Sequence, residues 1–196
     1  MSSADVVPRP TLHHVNLKTC RMDEMIAWYG TVIGSSLVYK FPGGAWLTND
    51  EANHRIALLT SSRLCDDPDK LVHSGIHHFS FEHKSHDDLF ATYLRLSSLG
   101  IEPHMCLDHG MTISMYFVDP DGNSLELQAD NFGDWKQSSA FMFTADFARD
   151  PIGTPFDPRK VAELWKSGLA PHELHRRVYG GEFRPDAPLD LRFPAD

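Results

Sequence analysis

An internal repeat constrains this chain more than any other feature. The hexapeptide Leu-His-His-Val-Asn-Leu at residues 12–17 returns as Ile-His-His-Phe-Ser-Phe at 76–81, an offset of 64 residues. The same offset relates Tyr29 to Tyr93. Self-similarity at a fixed spacing is typical of duplicated structural units. The sequence therefore predicts two similar modules rather than one irregular fold.

Each half contains one amphipathic helix, expected at 23–33 and at 87–99. Apolar residues recur there at helical spacing, and each helix has acidic residues in its first turn. A glycine, Gly34 or Gly100, follows each helix and favours its termination. The apolar faces of both helices are assigned to the core.

One short strand precedes each helix, and three strands follow it. The segment Asp-Pro-Asp-Gly-Asn at 119–123 has the residue types of a tight turn between two of them. Two βαβββ modules predict an α+β fold, with a mixed curved sheet that carries both helices on one face and an open trough on the other. The later strands are expected at 36–42, 44–49 and 54–61, and at 101–107, 112–118 and 123–130.

The repeat also predicts the domain organisation. An N-terminal arm over 1–10 precedes a two-module domain over 11–131, with its modules at about 11–62 and 74–131. The remaining segment, 132–196, is a C-terminal extension with too many aromatic residues for a free tail. It is expected to fold over the trough as a lid or to contact a second subunit.

Two helices are expected within the extension. One begins at Asp157 and ends near Gly168, and the other spans 171–179. His172 and His175 lie one helical turn apart on the second helix. Because no third ligand is evident nearby, we expect them on a solvent-exposed face.

Composition excludes several classes of protein. The 18 basic and 27 acidic residues give a net charge of −9, which disfavours nucleic acid and anionic membranes as partners. The chain has no apolar stretch of transmembrane length, and its start lacks the pattern of a secretory signal. Three widely spaced cysteines indicate a cytoplasmic protein with neither a disulfide framework nor a cysteine zinc site.

Three side chains are predicted to meet in the trough. Alternation along the strands directs His14, His78 and Glu126 to the open face, whereas His13 and His77 share a face with core residues and are assigned structural roles. A buried carboxylate is costly unless it is paired or binds a metal. Two imidazoles and one carboxylate suit non-haem Fe(II), and Mn(II) fits the same set.

These motifs resemble a known family. The two double-histidine strands, together with Tyr-Phe-Val-Asp-Pro-Asp-Gly-Asn-Ser-Leu-Glu-Leu at 116–127, are similar to the vicinal oxygen chelate (glyoxalase/bleomycin resistance/dioxygenase) superfamily. Within it they most resemble the type I extradiol ring-cleaving dioxygenases of the 2,3-dihydroxybiphenyl 1,2-dioxygenase kind. The likeness covers residues 11–131, and a single pair of modules matches the one-domain subgroup.

The resemblance implies a function in aromatic compound catabolism. It implies a metal-dependent extradiol dioxygenase that cleaves a catechol-type ring with O2, using Fe(II) or Mn(II) on His14, His78 and Glu126. By the same resemblance His54 takes the acid/base role, and Tyr116 and His109 contact the bound diol. A homo-oligomer is expected.

Other functions remain open at this point. An isomerase or a thiol-adding transferase of the same superfamily would use the same metal site. The position equivalent to Glu126 in the first half falls near Ile56, which disfavours the four-ligand pattern of glyoxalase I. The predicted trough contains no lysine or arginine for a phosphonate substrate. A metal-free binding module would lack the ligands, and a purely structural oligomer would leave Glu126 unexplained.

Overall fold

The computed structural model describes residues 8–194, so most of the predicted N-terminal arm lies outside the described residues. The chain forms two compact units, one ending at Asp66 and the other beginning at Asp67. Each predicted module falls in its own unit. The α+β class with paired βαβββ modules is confirmed, and the strands form two hydrogen-bonded sheets, one in each unit.

The first unit is a βαβββ module. Its elements are β1 (Val15–Lys18), α1 (Met22–Ile33), β2 (Ser36–Phe41), β3 (Gly44–Thr48) and β4 (Ile56–Leu59). The sheet has the order β1-β4-β3-β2. Strands β1 and β4 run parallel, and the other neighbours are antiparallel. Helix α1 packs on β2 and β3 and ends at Gly34, whose φ of 68° lies in the left-handed region that glycine adopts without strain.

The second unit repeats this order of elements and adds a strand from the extension. Its elements are β5 (His78–His83), α2 (His86–Ser98), β6 (Met105–Asp108), β7 (Thr112–Val118), β8 (Ser124–Asp130) and β9 (Thr154–Pro155). The sheet has the order β5-β8-β7-β6-β9. Strands β5 and β8 are parallel, as β1 and β4 are in the first unit.

Helix α2 is defined by a side-chain cap at its N-terminus and by one buried face. The Ser85 hydroxyl caps its first turn by accepting from the Asp88 backbone N–H. The helix packs on β5 and β8. Its buried face follows helical spacing and consists of Leu89, Phe90, Tyr93 and Leu96. Both predicted helices are thus confirmed to within one residue at each end.

The extension contains four helices within the described residues: α3 (Trp135–Phe141), α4 (Ala145–Arg149), α5 (Pro158–Lys166) and α6 (Pro171–Tyr179). The helices predicted from Asp157 and at 171–179 are confirmed as α5 and α6. The Asp157 carboxylate caps α5 by accepting from the Arg159 N–H, and a proline begins each of the two helices.

Some strand predictions were wrong in detail. The strand expected at 101–107 begins only at Met105, after Pro103, which has no N–H to donate to a ladder. The strand expected at 54–61 is shorter, Ile56–Leu59, so His54 lies outside it. The core positions predicted for His13 and His77 are also wrong, because both side chains are exposed. Strand β1 begins at Val15 and strand β5 at His78, so His13 and His77 lie before the strands and the alternation of faces does not apply to them.

The register corrects the position equivalent to Glu126. In the second unit Glu126 lies opposite Ser80, and in the first unit the residue opposite Asn16 is Ala57, not Ile56. Ile56 belongs to the other face of β4, where it is completely buried. A one-residue shift exchanges the two faces of a strand. The equivalent of Glu126 is nevertheless apolar, as predicted.

Candidate functional site

Glu126 lies at the centre of β8, on a polar face of the second sheet. The apolar neighbours Leu125 and Leu127 point to the opposite face and are buried in the core. Ser80 on β5 and Tyr116 on β7 lie directly opposite Glu126, so their side chains share its face. Glu126 is only 6% exposed. The strand pattern therefore buries a carboxylate among polar neighbours.

Two side chains approach the Glu126 carboxylate from different sides. The Tyr116 hydroxyl donates to Oε1 at 2.8 Å, and His78 Nε2 lies 3.4 Å from Oε2. Burial raises the pKa of Glu126, but the surrounding donors, His78 first and Tyr116 among them, outweigh it and lower the pKa to about 2. Glu126 is consequently a buried carboxylate that stays ionised.

Tyr116 links Glu126 to a second histidine. Its hydroxyl lies 2.8 Å from His109 Nε2, as close as it lies to Glu126. Burial, followed by the charge of Glu126, raises the pKa of Tyr116 and keeps it a neutral phenol. The Tyr116 oxygen thus contacts a carboxylate, to which it donates its proton, and an imidazole nitrogen, so the three groups form a short polar chain.

The extension fixes His109. Its Nδ1 lies 2.6 Å from the Ile152 carbonyl oxygen, which can only accept, so Nδ1 carries a proton. Gly153 approaches the same loop so closely that a Cβ there would lie 2.4 Å from the Asp108 carbonyl oxygen. Glycine is required at this point of contact. The orientation of His109 therefore depends on residues beyond the two modules.

A hydrogen bond between His175 and a buried carboxylate joins the extension to the same loop. His175 Nδ1 on α6 lies 2.8 Å from Asp108 Oδ2, and Asp108 is completely buried. The Asp108 carboxylate also accepts from the Gly110 backbone N–H and from Asn131. The predicted exposure of His175 is therefore wrong. Helical spacing alone could not reveal a partner that lies 67 residues away.

His104 is a further residue near the site that the sequence did not indicate. Its ring lies 6.1 Å from the Tyr116 ring, centroid to centroid. Nδ1 donates to the Asp190 carbonyl oxygen at 2.9 Å, and Nε2 lies 3.0 Å from the Ser124 hydroxyl. Burial lowers the pKa of His104. The only sequence signal for it was its place within the strand predicted at 101–107.

The other two predicted site residues lie in the first unit. His14 directly precedes β1, and the His54 ring lies 4.3 Å from the His14 ring. A nitrogen of His13 joins theirs in a group whose atoms all lie within 4.8 Å of one another. Burial, followed by the neighbouring His14 and His13, lowers the pKa of His54. The first unit thus gathers His14 and His54, and the second gathers His78, Glu126, Tyr116 and His109.

The donor set of the second unit fits a metal ion. Metal bonds of about 2.0–2.2 Å to nitrogen and oxygen put neighbouring ligand atoms about 3.0–3.5 Å apart. The 3.4 Å between His78 Nε2 and Glu126 Oε2 falls in that range. Tyr116 donates to the other carboxylate oxygen. Carboxylates that bind a metal are commonly held in this way by a hydrogen bond from a neighbouring side chain.

Comparison with known sequences identifies the family. The Glyoxalase/Bleomycin resistance protein/Dioxygenase superfamily profile matches residues 11–127. Biphenyl-2,3-diol 1,2-dioxygenase 2 of Rhodococcus globerulus is 35% identical over 91% of this chain and 94% of its own length. Biphenyl-2,3-diol 1,2-dioxygenase 3 of the same organism is 38% identical over 87% of this chain and 90% of its own. Alignments of this length include most of the extension.

Solved structures share the fold over a shorter part of the chain. A lactoylglutathione lyase from Agrobacterium tumefaciens has a TM-score of 0.50 and 22% identity, and it covers 63% of this chain and 96% of its own. A glyoxalase/bleomycin resistance protein/dioxygenase from Nocardioides has a TM-score of 0.51 and 23% identity, with 65% and 88% covered.

No helix within residues 8–194 has the length and apolar character needed to cross a bilayer. The double-histidine repeat and the two βαβββ modules agree with the profile match and with the two curated relatives. The chain belongs to the Glyoxalase/Bleomycin resistance protein/Dioxygenase superfamily.

Proposed function

We propose that this protein is a metal-dependent extradiol dioxygenase. The observation that carries the proposal is the buried, ionised Glu126 with His78 Nε2 at 3.4 Å, in a chain 35% and 38% identical to two biphenyl-2,3-diol 1,2-dioxygenases. The names of these relatives place cleavage between ring carbons 1 and 2, beside a 2,3-diol and therefore outside it. The substrates here would be a small aromatic diol and O2, and both oxygen atoms would enter the ring-opened product.

The ligand set proposed for the metal is His14, His78 and Glu126. Two imidazoles and one carboxylate leave positions free for further ligands, as non-haem Fe(II) oxygenases require. A bound Fe(II) or Mn(II) would hold the diol and O2 together and pass electrons between them. His78 and Glu126 supply one nitrogen and one carboxylate oxygen, while Tyr116 keeps the other carboxylate oxygen occupied.

Three further residues are proposed to act on the diol and its protons. His54 would accept a proton from the diol and return one later, the acid/base role that the family resemblance implies. His109 and Tyr116 would contact the diol oxygens. The hydrogen-bonded chain from Glu126 through Tyr116 to His109 can hold a proton beside the site without exposing it to solvent.

The extension supports the dioxygenase over other activities of the superfamily. It carries the Ile152 carbonyl that orients His109. It also lies mostly within the part of the chain that aligns with the two dioxygenases, beyond the end of the superfamily profile. The residue equivalent to Glu126 in the first unit is Ala57, which supplies no fourth ligand for a glyoxalase I pattern.

The test is anaerobic loading with Fe(II), followed by oxygen uptake with biphenyl-2,3-diol and a panel of smaller catechols. Oxygen consumption with a yellow ring-opened product is the expected result. Stoichiometric metal binding without uptake on any diol would instead favour an isomerase or transferase of the superfamily. A protein that binds no metal would overturn the proposal. The predicted homo-oligomer is tested separately by light scattering.

A further inference from the structure

His77 makes two contacts that its predicted structural role does not explain. Its Nε2 lies 2.9 Å from the Leu191 carbonyl oxygen, and its Nδ1 lies 2.7 Å from His78 Nδ1. The two rings meet edge to face, with centroids 5.0 Å apart. All three residues belong to the second unit. A chain of hydrogen bonds thus runs from the end of the extension to the residue that faces Glu126.

The proton positions along this chain follow from which groups can donate a hydrogen bond and which can only accept one. A carbonyl oxygen only accepts, so His77 Nε2 carries a proton and donates it to Leu191. A neutral His77 then has a bare Nδ1, which must accept from His78 Nδ1. His78 Nε2, on the other side of the ring, faces the ionised Glu126 carboxylate at 3.4 Å, and a metal ion bound there would take the place of a proton on this nitrogen.

The Leu191 carbonyl is held by contacts on both sides along the chain. Leu189 packs against the apolar cluster of Met105, Leu107 and Tyr116, which lies on the sheet face that also carries Glu126. His104 donates to the Asp190 carbonyl oxygen at 2.9 Å.

On the other side, Arg192 donates to the Gly122 carbonyl oxygen at 3.1 Å. Its φ is 49°, a conformation rare for residues other than glycine. Contacts must hold such a conformation in place. The acceptor of His77 is therefore fixed by its surroundings rather than left at the end of a loose tail.

We propose that His77 is a positioning residue that accepts from His78 Nδ1 and so holds the His78 ring with Nε2 towards Glu126, and that the Leu191 carbonyl sets this orientation. The inference rests on the proposed metal-ligand role of His78 and deepens it. A ligating histidine commonly donates its other ring N–H to an acceptor that fixes its tautomer and orientation. Here that acceptor is a second histidine, itself oriented by the extension.

The first experiment reads the tautomer directly in the metal-free protein. Long-range 1H–15N correlation spectra at neutral pH distinguish protonated from bare ring nitrogens, and spectra of single His→Gln variants assign the signals. We expect a proton on His78 Nδ1, with His77 protonated at Nε2 and bare at Nδ1. A bare His78 Nδ1 would overturn the inference. Because neither metal nor turnover is involved, this result does not depend on whether the protein is a dioxygenase.

The second experiment measures affinity for Fe(II) anaerobically, by competition with a chromophoric chelator. His77→Phe removes the acceptor and should weaken binding about 10- to 100-fold, the usual effect of losing such a supporting group. In His77→Gln, the amide oxygen can still accept from His78 while the amide nitrogen donates to Leu191, so a smaller loss is expected. His172→Gln is the matched control, because it alters an exposed histidine of the same unit.

Equal affinity in wild type and His77→Phe, with the Phe variant folded by circular dichroism, would overturn the positioning role. If His77→Phe fails to fold, the His77→Gln affinity and the wild-type tautomer decide the question. Oxygen uptake is measured apart from these readouts. A protein with the expected tautomer and affinity pattern but no uptake would retain the positioning role and lose the proposed function.

Discussion

The two modules contain the same pair of histidines and differ in what surrounds it. In the first module His13 and His14 meet edge to face with ring centroids 5.4 Å apart, and their Nδ1 atoms lie 3.1 Å apart. The second module reproduces this with His77 and His78, at 5.0 Å and 2.7 Å. Duplication thus preserved the local geometry of the pair.

The surroundings of the pair are what separate the modules. Where the second module has Glu126 and Tyr116 on adjacent strands, the first has Ala57 and Trp46 at the equivalent register positions. The second module also receives a carbonyl oxygen from the extension. The repeat thus supplies a common scaffold, and the two modules differ in a few side chains on one sheet face and in an added segment.

The substitution with the largest expected effect removes the main difference between the modules. Glu126→Gln keeps the shape of the side chain but removes the charge. We expect a loss of Fe(II) affinity greater than about 100-fold, because losing a ligand should exceed the effect of losing a supporting group. Oxygen uptake should fall with it. Glu163→Gln on the exposed face of α5 is the control, and unchanged affinity in Glu126→Gln would remove this residue from the metal site.

The converse substitution introduces the carboxylate into the first module. Ala57 is 2% exposed, and its cross-strand neighbours are Asn16 and Trp46 rather than the hydroxyls that flank Glu126. Ala57→Glu should therefore lower the free energy of unfolding by about 3 kcal/mol or more, measured by urea denaturation. Leu59→Glu, on the same strand but 40% exposed, should cost much less. Equal costs would mean that the buried position in the first module accommodates a carboxylate as easily as an exposed one.

A third substitution tests how the extension is attached to the second module. His175→Ala leaves the completely buried Asp108 with only its neutral donors. We expect the free energy of unfolding to fall by about 2 kcal/mol. His172→Ala, on the exposed face of the same helix, should change it by less than about 0.5 kcal/mol. Similar values for the two variants would show that the contact between His175 and Asp108 does not anchor the extension.

A smaller effect on the free energy of unfolding is expected from a substitution near the end of the extension, at Leu189. Leu189 is half-buried against Met105, Leu107 and Tyr116, so Leu189→Ala should destabilise by about 1 kcal/mol, less than a fully buried leucine would. The NMR signals of the His77 and His78 rings should shift, while those of the His13 and His14 rings should not. A shift in both pairs would contradict the assignment of the contacts of Leu189 to the second module.

Local patterns predicted much of this arrangement. The helices end where Gly34 and Gly100 predict, and alternation along β8 placed Glu126 opposite the apolar core residues. The contacts that orient the site were not predictable in the same way. His77 meets Leu191 at a separation of 114 residues, and His109 meets Ile152 at 43. Such pairs depend on how the extension packs, and no short periodicity encodes it. The metal-ligand set of His14, His78 and Glu126 stays a prediction.

The smallest expected effect concerns pH and a histidine in the second module outside the proposed site. Burial lowers the pKa of His86, whose Nε2 lies 2.9 Å from Asn131 Oδ1. Its unfolded value is near 6.5, so below that pH the unfolded chain binds a proton that the folded protein resists. Stability contributed by neutral His86 is thus complete above pH 6.5 and declines as the pH falls towards the folded-state pKa.

Unfolding free energies at pH 7.5 and pH 5.5 measure this contribution. Wild type should lose more stability between the two values than His86→Gln, by at most about 1.4 kcal/mol per pH unit for a single site. The difference should be partial, because burial also lowers the pKa of His83 and His104 in the same unit. An identical pH dependence in the two proteins would mean that His86 is as easily protonated folded as unfolded. The acid sensitivity of the second module would then have to reside in the other two histidines.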